Sequence, residues 1–466
     1  MRKAANRQTL AARGTSRRDF LKASATAMGT AALGPALILS GARAASTEAN
    51  SRLRLAVVGC GGQGRGDMRG LLGNGATLVA LCDPDAGQIE TARGDAAKSG
   101  VKDAGNVTAY EDYRRLLDKA ATFDAVLVAT PDHWHAPLCA AFMKAGKHIY
   151  CEKPLTHTVA EARGLRLLAR RSKVVTQMGN QGSASASCRR CVEVIKAGAI
   201  GHVRTIYQWG IGVGAREGSA DGEDPIPQGF NWDLWVGPSA MRPFKKDVYH
   251  PFRWRGWFDF GNGGLADFCC HAINMPMRAL DLGYPEKLVL NMEGGKRVAG
   301  KAAVEFHFAA RGTLPPVVLH WQGSGKPPAD VLQPLADVYK DKVPNGVLVI
   351  GDKGCIYTSH WNTGGLLRLE GEPRMTDVTR HAGTASIPKV LHGTNHGAEW
   401  LKACRGEGQT FSPFEIGGKL TEIGLSAIVA IRAGRSITWD GDKMQATGAP
   451  EAARFVRTEY RPKWMP

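Results

Sequence analysis

Three short motifs carry residue types that can do chemistry. The first is the loop Gly59-Cys60-Gly61-Gly62-Gln63-Gly64, a G-x-G-x-x-G pattern placed directly after the apolar run Leu53–Val58. Glycines at these spacings let the backbone approach a pyrophosphate at the N-terminus of the following helix. In a chain with 57 glycines the pattern means little by itself; its place between an apolar strand and a helix makes it a dinucleotide site, with Gly59, Gly61, Gly62, Gln63 and Gly64 as contacts. About twenty residues on, Cys82-Asp83-Pro84-Asp85 ends the next strand, which puts the Asp83 carboxylate where a ribose 2′-hydroxyl binds. That carboxylate would repel a 2′-phosphate. NAD is therefore expected over NADP, although Arg65 nearby offers a partner to a phosphate.

The second motif, Ala129-Thr130-Pro131-Asp132-His133-Trp134-His135, closes another strand at the carboxyl edge of the sheet, where ligands bind in open α/β folds. Thr130, Pro131 and His133 are candidate cofactor contacts; His135 either joins them or caps the next helix. The third is Tyr150-Cys151-Glu152-Lys153-Pro154. Lys153 stands between an apolar strand and a proline, where solvation is restricted. Burial and neighbouring positive charge lower a lysine's pKa, so Lys153 is expected to accept or share a proton from a substrate hydroxyl near neutral pH.

Positioning these motifs requires a parallel sheet with crossover helices. Strands are expected at 53–59, 76–82, 123–130, 147–151 and 174–178, with helices near 63–73, 85–98, 110–119, 135–146, 158–172 and 184–197. The alternation stops near Gly201. A Trp/Gly/Pro-rich loop region follows (about 210–262), then a helix near 264–282 and strand-like runs at Ala303–Phe308, Pro316–Trp321 and Gly346–Gly351. The fold class is thus α/β: an N-terminal doubly wound Rossmann domain (51–180) and a C-terminal α+β domain with a mostly antiparallel open sheet (181–440). Helices near 396–405 and 417–433 are expected to return to the first domain, and 441–466 to form a tail packed on the body.

Together, the glycine loop, the T-P-D-H-W-H turn, Glu152-Lys153-Pro154, Gly179-Asn180-Gln181, Trp254-Arg255-Gly256-Trp257 and the stretch Gly263–His271 resemble the Gfo/Idh/MocA oxidoreductases (glucose-fructose oxidoreductase, inositol dehydrogenase, rhizopine catabolism). The resemblance covers essentially all the chain after residues 1–44. It implies a catalytic set of Lys153, Asp267 and His271, the last two matching the family's D-x-x-x-H. Residues four apart share a helix face and can approach one hydroxyl. His271 would be the general base, Asp267 would orient its imidazole or bind a neighbouring hydroxyl, and Lys153 would stabilise the developing alkoxide. Glu152, Lys153 and Asn180 join the implied cofactor contacts. Gln181, Tyr249, Trp254, Arg255 and Trp257 are the implied substrate contacts, the aromatic faces suiting the C–H faces of pyranose rings. Such aromatics also suit a domain-interface core. The chain departs from the family at Asn274, where an acid often follows D-x-x-x-H.

Eight Lys or Arg stand against one acid in residues 1–44, so seven of the seventeen net positive charges lie there. Ser16-Arg17-Arg18-Asp19-Phe20-Leu21-Lys22, the apolar stretch Ala23–Leu39 and Ala42-Arg43-Ala44 resemble a twin-arginine export signal. This implies folding in the cytoplasm, handling by the Tat export machinery, a periplasmic or otherwise exported protein, and no lasting membrane span. The remaining charge is dispersed without a Lys/Arg run or an RNP-type motif, which argues against nucleic acid. The cysteines read as buried thiols rather than a disulfide framework or zinc site, so no metal is expected.

The expected activity is hydride transfer between a secondary hydroxyl of a sugar, glycoside or polyol and a tightly bound NAD, in a homo-dimer or homo-tetramer. An NAD-dependent glycosidase acting by transient C3 oxidation and elimination is the alternative; a non-catalytic binder is a third.

Overall fold

The computed structural model describes residues 52–291, 303–340, 342–457 and 459–464. The twin-arginine segment lies outside these residues.

The first sheet has six strands, β1 (Arg54–Val58), β2 (Thr77–Cys82), β3 (Thr108–Tyr110), β4 (Ala125–Val128), β5 (His148–Glu152) and β6 (Thr176–Gly179), in the order β3-β2-β1-β4-β5-β6. All five pairings are parallel. The order reverses beside β1, which brings the ends of β1 and β4 together as a crevice. Val57, Val126, Leu127 and Ile149 are fully buried, as expected of a sheet covered on both faces. The edge strand β3 lies where the sequence suggested the start of a helix at 110–119; that helix is only Tyr113–Leu117.

The second sheet has ten strands: β7 (Val203–Gln208), β8 (Pro285–Asn291), β9 (Ala303–Phe308), β10 (Val317–Trp321), β11 (Gly346–Gly351), β12 (Gly354–Ser359), β13 (Leu366–Leu369), β14 (Thr376–Asp377), β15 (Ile437–Asp440) and β16 (Gln445–Thr447). Only β7 and β10 pair in parallel; the other eight pairings are antiparallel. The single helix expected near 264–282 is two, Gly263–Ala272 and Asn274–Ala279.

Helix Phe414–Ala433 joins the two sheets. It packs on helix Val159–Arg171 of the first and on Gly263–Ala272 of the second. Close approach needs glycine: a Cβ at Gly418 would stand 2.5 Å from the Arg166 side chain, and one at Gly424 would stand 2.9 Å from Cys269. The buried Glu422 carboxylate takes Arg163 and Arg166 at 2.7 Å each, which fixes the register of the joint. The tail packs on the first domain: Ala160 N–H donates to the Val456 carbonyl, and Trp464 meets Trp134 edge-on at 5.3 Å. All ten cysteines are free, and nine are buried. Among the described residues no helix is long and apolar enough to cross a membrane, and no cluster of His, Cys, Asp and Glu could hold a metal.

Candidate active site

The turn after β1 does what its three glycines suggest. Gly59 has φ +90°, and a Cβ there would lie 2.6 Å from the Ala129 backbone, so the crossing of the β1 and β4 turns depends on glycine. A Cβ on Gly64 would lie 2.0 Å from the Gly59 carbonyl, so helix Gly62–Gly73 can approach the strand only with glycine here. At Gly61 and Gly62 nothing lies within 4 Å of the Cβ position. The helix begins there without a side-chain cap and opens on a cavity of about 370 Å³. Its first-turn amides thus form an anion site.

Asp83 lines the same cavity. Its Oδ2 accepts from Cys60 N–H at 2.7 Å and its Oδ1 from Asp85 N–H at 2.9 Å, so it also braces the glycine loop. Burial pushes its pKa up to about 6. Arg65 is committed elsewhere, to the Cys60 carbonyl (3.1 Å), Gln88 (2.8 Å) and Asp95 (3.2 Å). The open glycines, free amides, Asp83 and the unpartnered Thr130 hydroxyl suit a dinucleotide with a free 2′-hydroxyl, which is NAD.

Gln63, Thr130, Pro131, Glu152 and Lys153 line the cavity. His133 and His135 do not. His133 lies between the Trp235 (3.1 Å) and Phe260 (3.3 Å) carbonyls, and His135 between those of Pro154 (2.8 Å) and Thr130 (2.9 Å). Burial drives their pKa values down, to about 3 and about 4. Both are fasteners: His135 ties the Thr130 turn to the residue after Lys153. Asn180 is also outside the cavity lining, donating to the Cys270 carbonyl at 3.1 Å and so joining β6 to helix Gly263–Ala272.

Lys153 Nζ donates to Asp267 Oδ1 at 2.7 Å, with Arg255 Nε 4.0 Å from the same oxygen. The expectation of a lowered lysine pKa is corrected. Burial does pull it down, but the Asp267 and Glu152 charges outweigh burial and hold Lys153 above its ordinary value. It is a fixed cation and a hydrogen-bond donor, not a base.

Asp267 therefore orients Lys153 rather than the His271 imidazole. His271 is 1% exposed, neither ring nitrogen has a hydrogen-bond partner among the described residues, and burial holds its pKa well below the usual value. It is a neutral imidazole with a free lone pair. Next to it lie Phe268 (6.2 Å between ring centres) and Trp361 (4.3 Å).

Of the expected substrate contacts, Trp254 and Arg255 line the cavity, the Arg255 guanidinium lying 4.2 Å from the Trp254 ring centre. Tyr249 and Trp257 do not; they belong to a buried aromatic core with Phe230, Trp232, Trp235, Phe244 and Phe260. Tyr249 is fully buried, and its hydroxyl accepts from Ala220 N–H at 2.8 Å. Gln181 is held by Glu152 (2.7 Å), Tyr150 (3.2 Å) and Asp67 (3.3 Å) beneath Lys153.

Sequence reasoning missed Asp67, Asp132 and Trp361. Burial pushes Asp67 up to about 6, and it shares a hydrogen bond with Glu152. Burial, then the Asp267 charge, pushes Asp132 well above the usual carboxylate range, with the nearby Lys153 charge acting the other way. Asp132 lay within the T-P-D-H-W-H motif and was legible there; no motif flagged Asp67 or Trp361.

Residues 53–180 match the model of an oxidoreductase family with an NAD-binding Rossmann fold, and 200–288 match that of its C-terminal α/β domain. These two regions are similar to the corresponding domains of the Gfo/Idh/MocA family. Residues 53–180 are accordingly an NAD-binding Rossmann domain. An inositol 2-dehydrogenase of Saccharopolyspora erythraea is 36% identical over 154 residues, 32% of this chain and 43% of the relative. A glycosyl hydrolase family 109 protein of Shewanella pealeana is 31% identical over 111 residues, 23% of this chain and 24% of the relative. The chain thus matches less than half the length of these curated relatives. A levoglucosan dehydrogenase solved with NADH and levoglucosan shares the fold over 83% of this chain and 99% of its own, with TM-score 0.55 and 15% identity.

Proposed function

We propose that this chain is an exported oxidoreductase that transfers hydride between a secondary hydroxyl of a sugar, glycoside or polyol and a tightly held NAD. The reading rests on one juxtaposition: the Lys153 ammonium, fixed by Asp267 at the inner end of the dinucleotide cavity, with the unpartnered His271 imidazole one helical turn beyond Asp267. NAD in the cavity supplies the hydride acceptor. Lys153 donates a hydrogen bond to the substrate oxygen and stabilises the negative charge that grows there. His271 takes the hydroxyl proton on a free ring nitrogen, leaving a ketone. Asp267 keeps Lys153 charged and aimed.

Retention of the cofactor is supported by the loop region after β7. Asn231 N–H donates to the Pro84 carbonyl (2.9 Å), Ala86 N–H to the Gly229 carbonyl (3.0 Å), and His250 Nε2 meets Asp85 Oδ2 at 2.8 Å. Trp235, His250 and Arg255 of this strap line the cavity wall, so a bound dinucleotide would be held by the strap as well as by the Rossmann half. Retention suits the twin-arginine leader, because no NAD pool exists beyond the cytoplasm. A held cofactor must be reoxidised in place by a second sugar or other acceptor, which gives ping-pong kinetics. The open ten-stranded sheet is the surface through which homo-oligomers would pair.

The test is mass spectrometry of small molecules released from the denatured protein, then absorbance at the reduced-nicotinamide band with myo-inositol, levoglucosan, glucose and aryl glycosides. NAD without phosphate at the 2′ position and turnover with at least one sugar are expected; bound NAD with no sugar changing the band would sink the reading. Lys153→Met should lower kcat by ~10³-fold while bound NAD is retained.

The glycosyl hydrolase relative favours a second reading, elimination of an aglycone after transient C3 oxidation. Release of p-nitrophenol from an aryl glycoside without net NADH would establish it.

A further inference from the structure

We propose that Trp361, at the tip between β12 and β13, is the wall of the substrate subsite: its indole covers His271 and provides the face on which the C–H side of a sugar or cyclitol ring stacks. The inference rests on His271 being the base of the reading above.

A base must touch the hydroxyl it deprotonates, yet both His271 nitrogens are sealed from solvent. The Trp361 ring lies 4.3 Å from the imidazole, inclined at 53°, and 5.5 Å from Phe268. His360 lies 5.1 Å from Phe268 and 5.7 Å from Trp361, and Lys153 Nζ stands 5.8 Å from the Phe268 ring centre. An aromatic wall, the proposed base and the fixed ammonium therefore meet around one side chain. Trp361 is also 38% exposed, whereas Trp232, Trp235, Trp254 and Trp257 are all below 9%. A large aromatic left partly in water beside a buried, unpartnered base is what an unfilled ring-binding face looks like.

The backbone carrying Trp361 is fixed. Asn362 is fully buried at φ +57°; its Oδ1 accepts from Met275 N–H at 2.9 Å and its Nδ2 donates to the Ala272 carbonyl at 3.2 Å. A Cβ at residue 182 would lie 1.8 Å from the Trp361 carbonyl, so the tip seats on Gly182. Admission of a ring is thus a rotation of the indole, not a swing of the loop.

Two measurements on the NAD-loaded protein test this. In the first, diethyl pyrocarbonate modification is mapped by peptide mass spectrometry. His271 should stay protected in the native protein and react in Trp361→Ala at a rate approaching that of exposed His202, while His133 and His135 stay inert in both. Equal protection of His271 in both proteins overturns the cover. In the second, Trp361→Ala should raise KM ~10-fold for any sugar turned over, with kcat little changed and Trp361→Phe restoring most of the loss. An unchanged KM overturns the wall. If the native protein turns over no sugar, the dehydrogenase reading fails, and the modification experiment judges Trp361 by itself.

Discussion

His133 and His135, just after β4, and His271, on helix Gly263–Ala272, are equally buried, at 2%, 1% and 1% exposure, and differ in their hydrogen bonding. Each of the first two rings spans a pair of backbone carbonyls that belong to different turns. The third, aromatic-lined as His133 also is, has no hydrogen bond among the described residues. Burial of a polar ring therefore does not mark a site; burial without a partner does, because an unpaired buried group costs stability that folding alone gives no reason to keep. In the Rossmann half histidine is a fastener. On the helix after the strap it is held ready.

Replacing the ring with a hydrocarbon at each place should break this comparison or sharpen it. The largest effect is expected on turnover: His271→Leu should lower kcat by ~10²–10⁴-fold with NAD still bound. A variant keeping more than a tenth of native kcat would make His271 a packing residue and move the base to another group. Next in size are His133→Leu and His135→Leu, each of which removes the one hydrogen bond that a neutral imidazole donates to a buried carbonyl. Each should destabilise by about 2–4 kcal/mol in denaturant unfolding, while the folded fraction keeps its NAD. Smaller and opposite in sign, His271→Leu should stabilise by about 1 kcal/mol, because it removes two unsatisfied nitrogens. A loss of stability there would mean that the imidazole has a structural partner after all.

The same contrast explains what the sequence could convey. The cofactor cleft was legible because each of its parts is a short run at the end of one strand: the glycine loop, Asp83 and Thr130 all face the cavity. Strand β3 was not, since Thr108–Tyr110 is too short for an alternation to register. The substrate end is assembled from residues far apart in the chain, so only the family's D-x-x-x-H pointed to it. Even then the partners were misread: spacing put Asp267 and His271 on one helix, but only the tertiary structure shows Asp267 committed to Lys153. Tyr249 and Trp257 failed for a related reason. An aromatic that stacks on sugar and one that fills a core have the same composition, and the full burial of Tyr249 decides between them. Trp361, with no motif around it, lies at a hairpin tip whose place over His271 depends on Asn362 reaching Ala272 and Met275.

The smallest effect expected is a displacement in pH, and it connects both halves of the comparison. Burial holds the His271 pKa well below its usual value of 6.5, with the Lys153 charge adding to the effect. The imidazole must be unprotonated to take a proton, so kcat/KM falls as the pH drops through the folded-state pKa. The acid limb of the native protein should therefore lie below pH 6.5. Opening the cover admits water and relieves the desolvation that is the main cause of the shift. In Trp361→Ala the limb should move up toward 6.5, while in His135→Leu, whose ring belongs to the fastening set, it should stay where it is. A native limb at or above 6.5 would show that the titrating base is exposed. A limb that moves equally in both variants would mean that the two kinds of buried histidine share one electrostatic environment, and the distinction between fastener and base would fail.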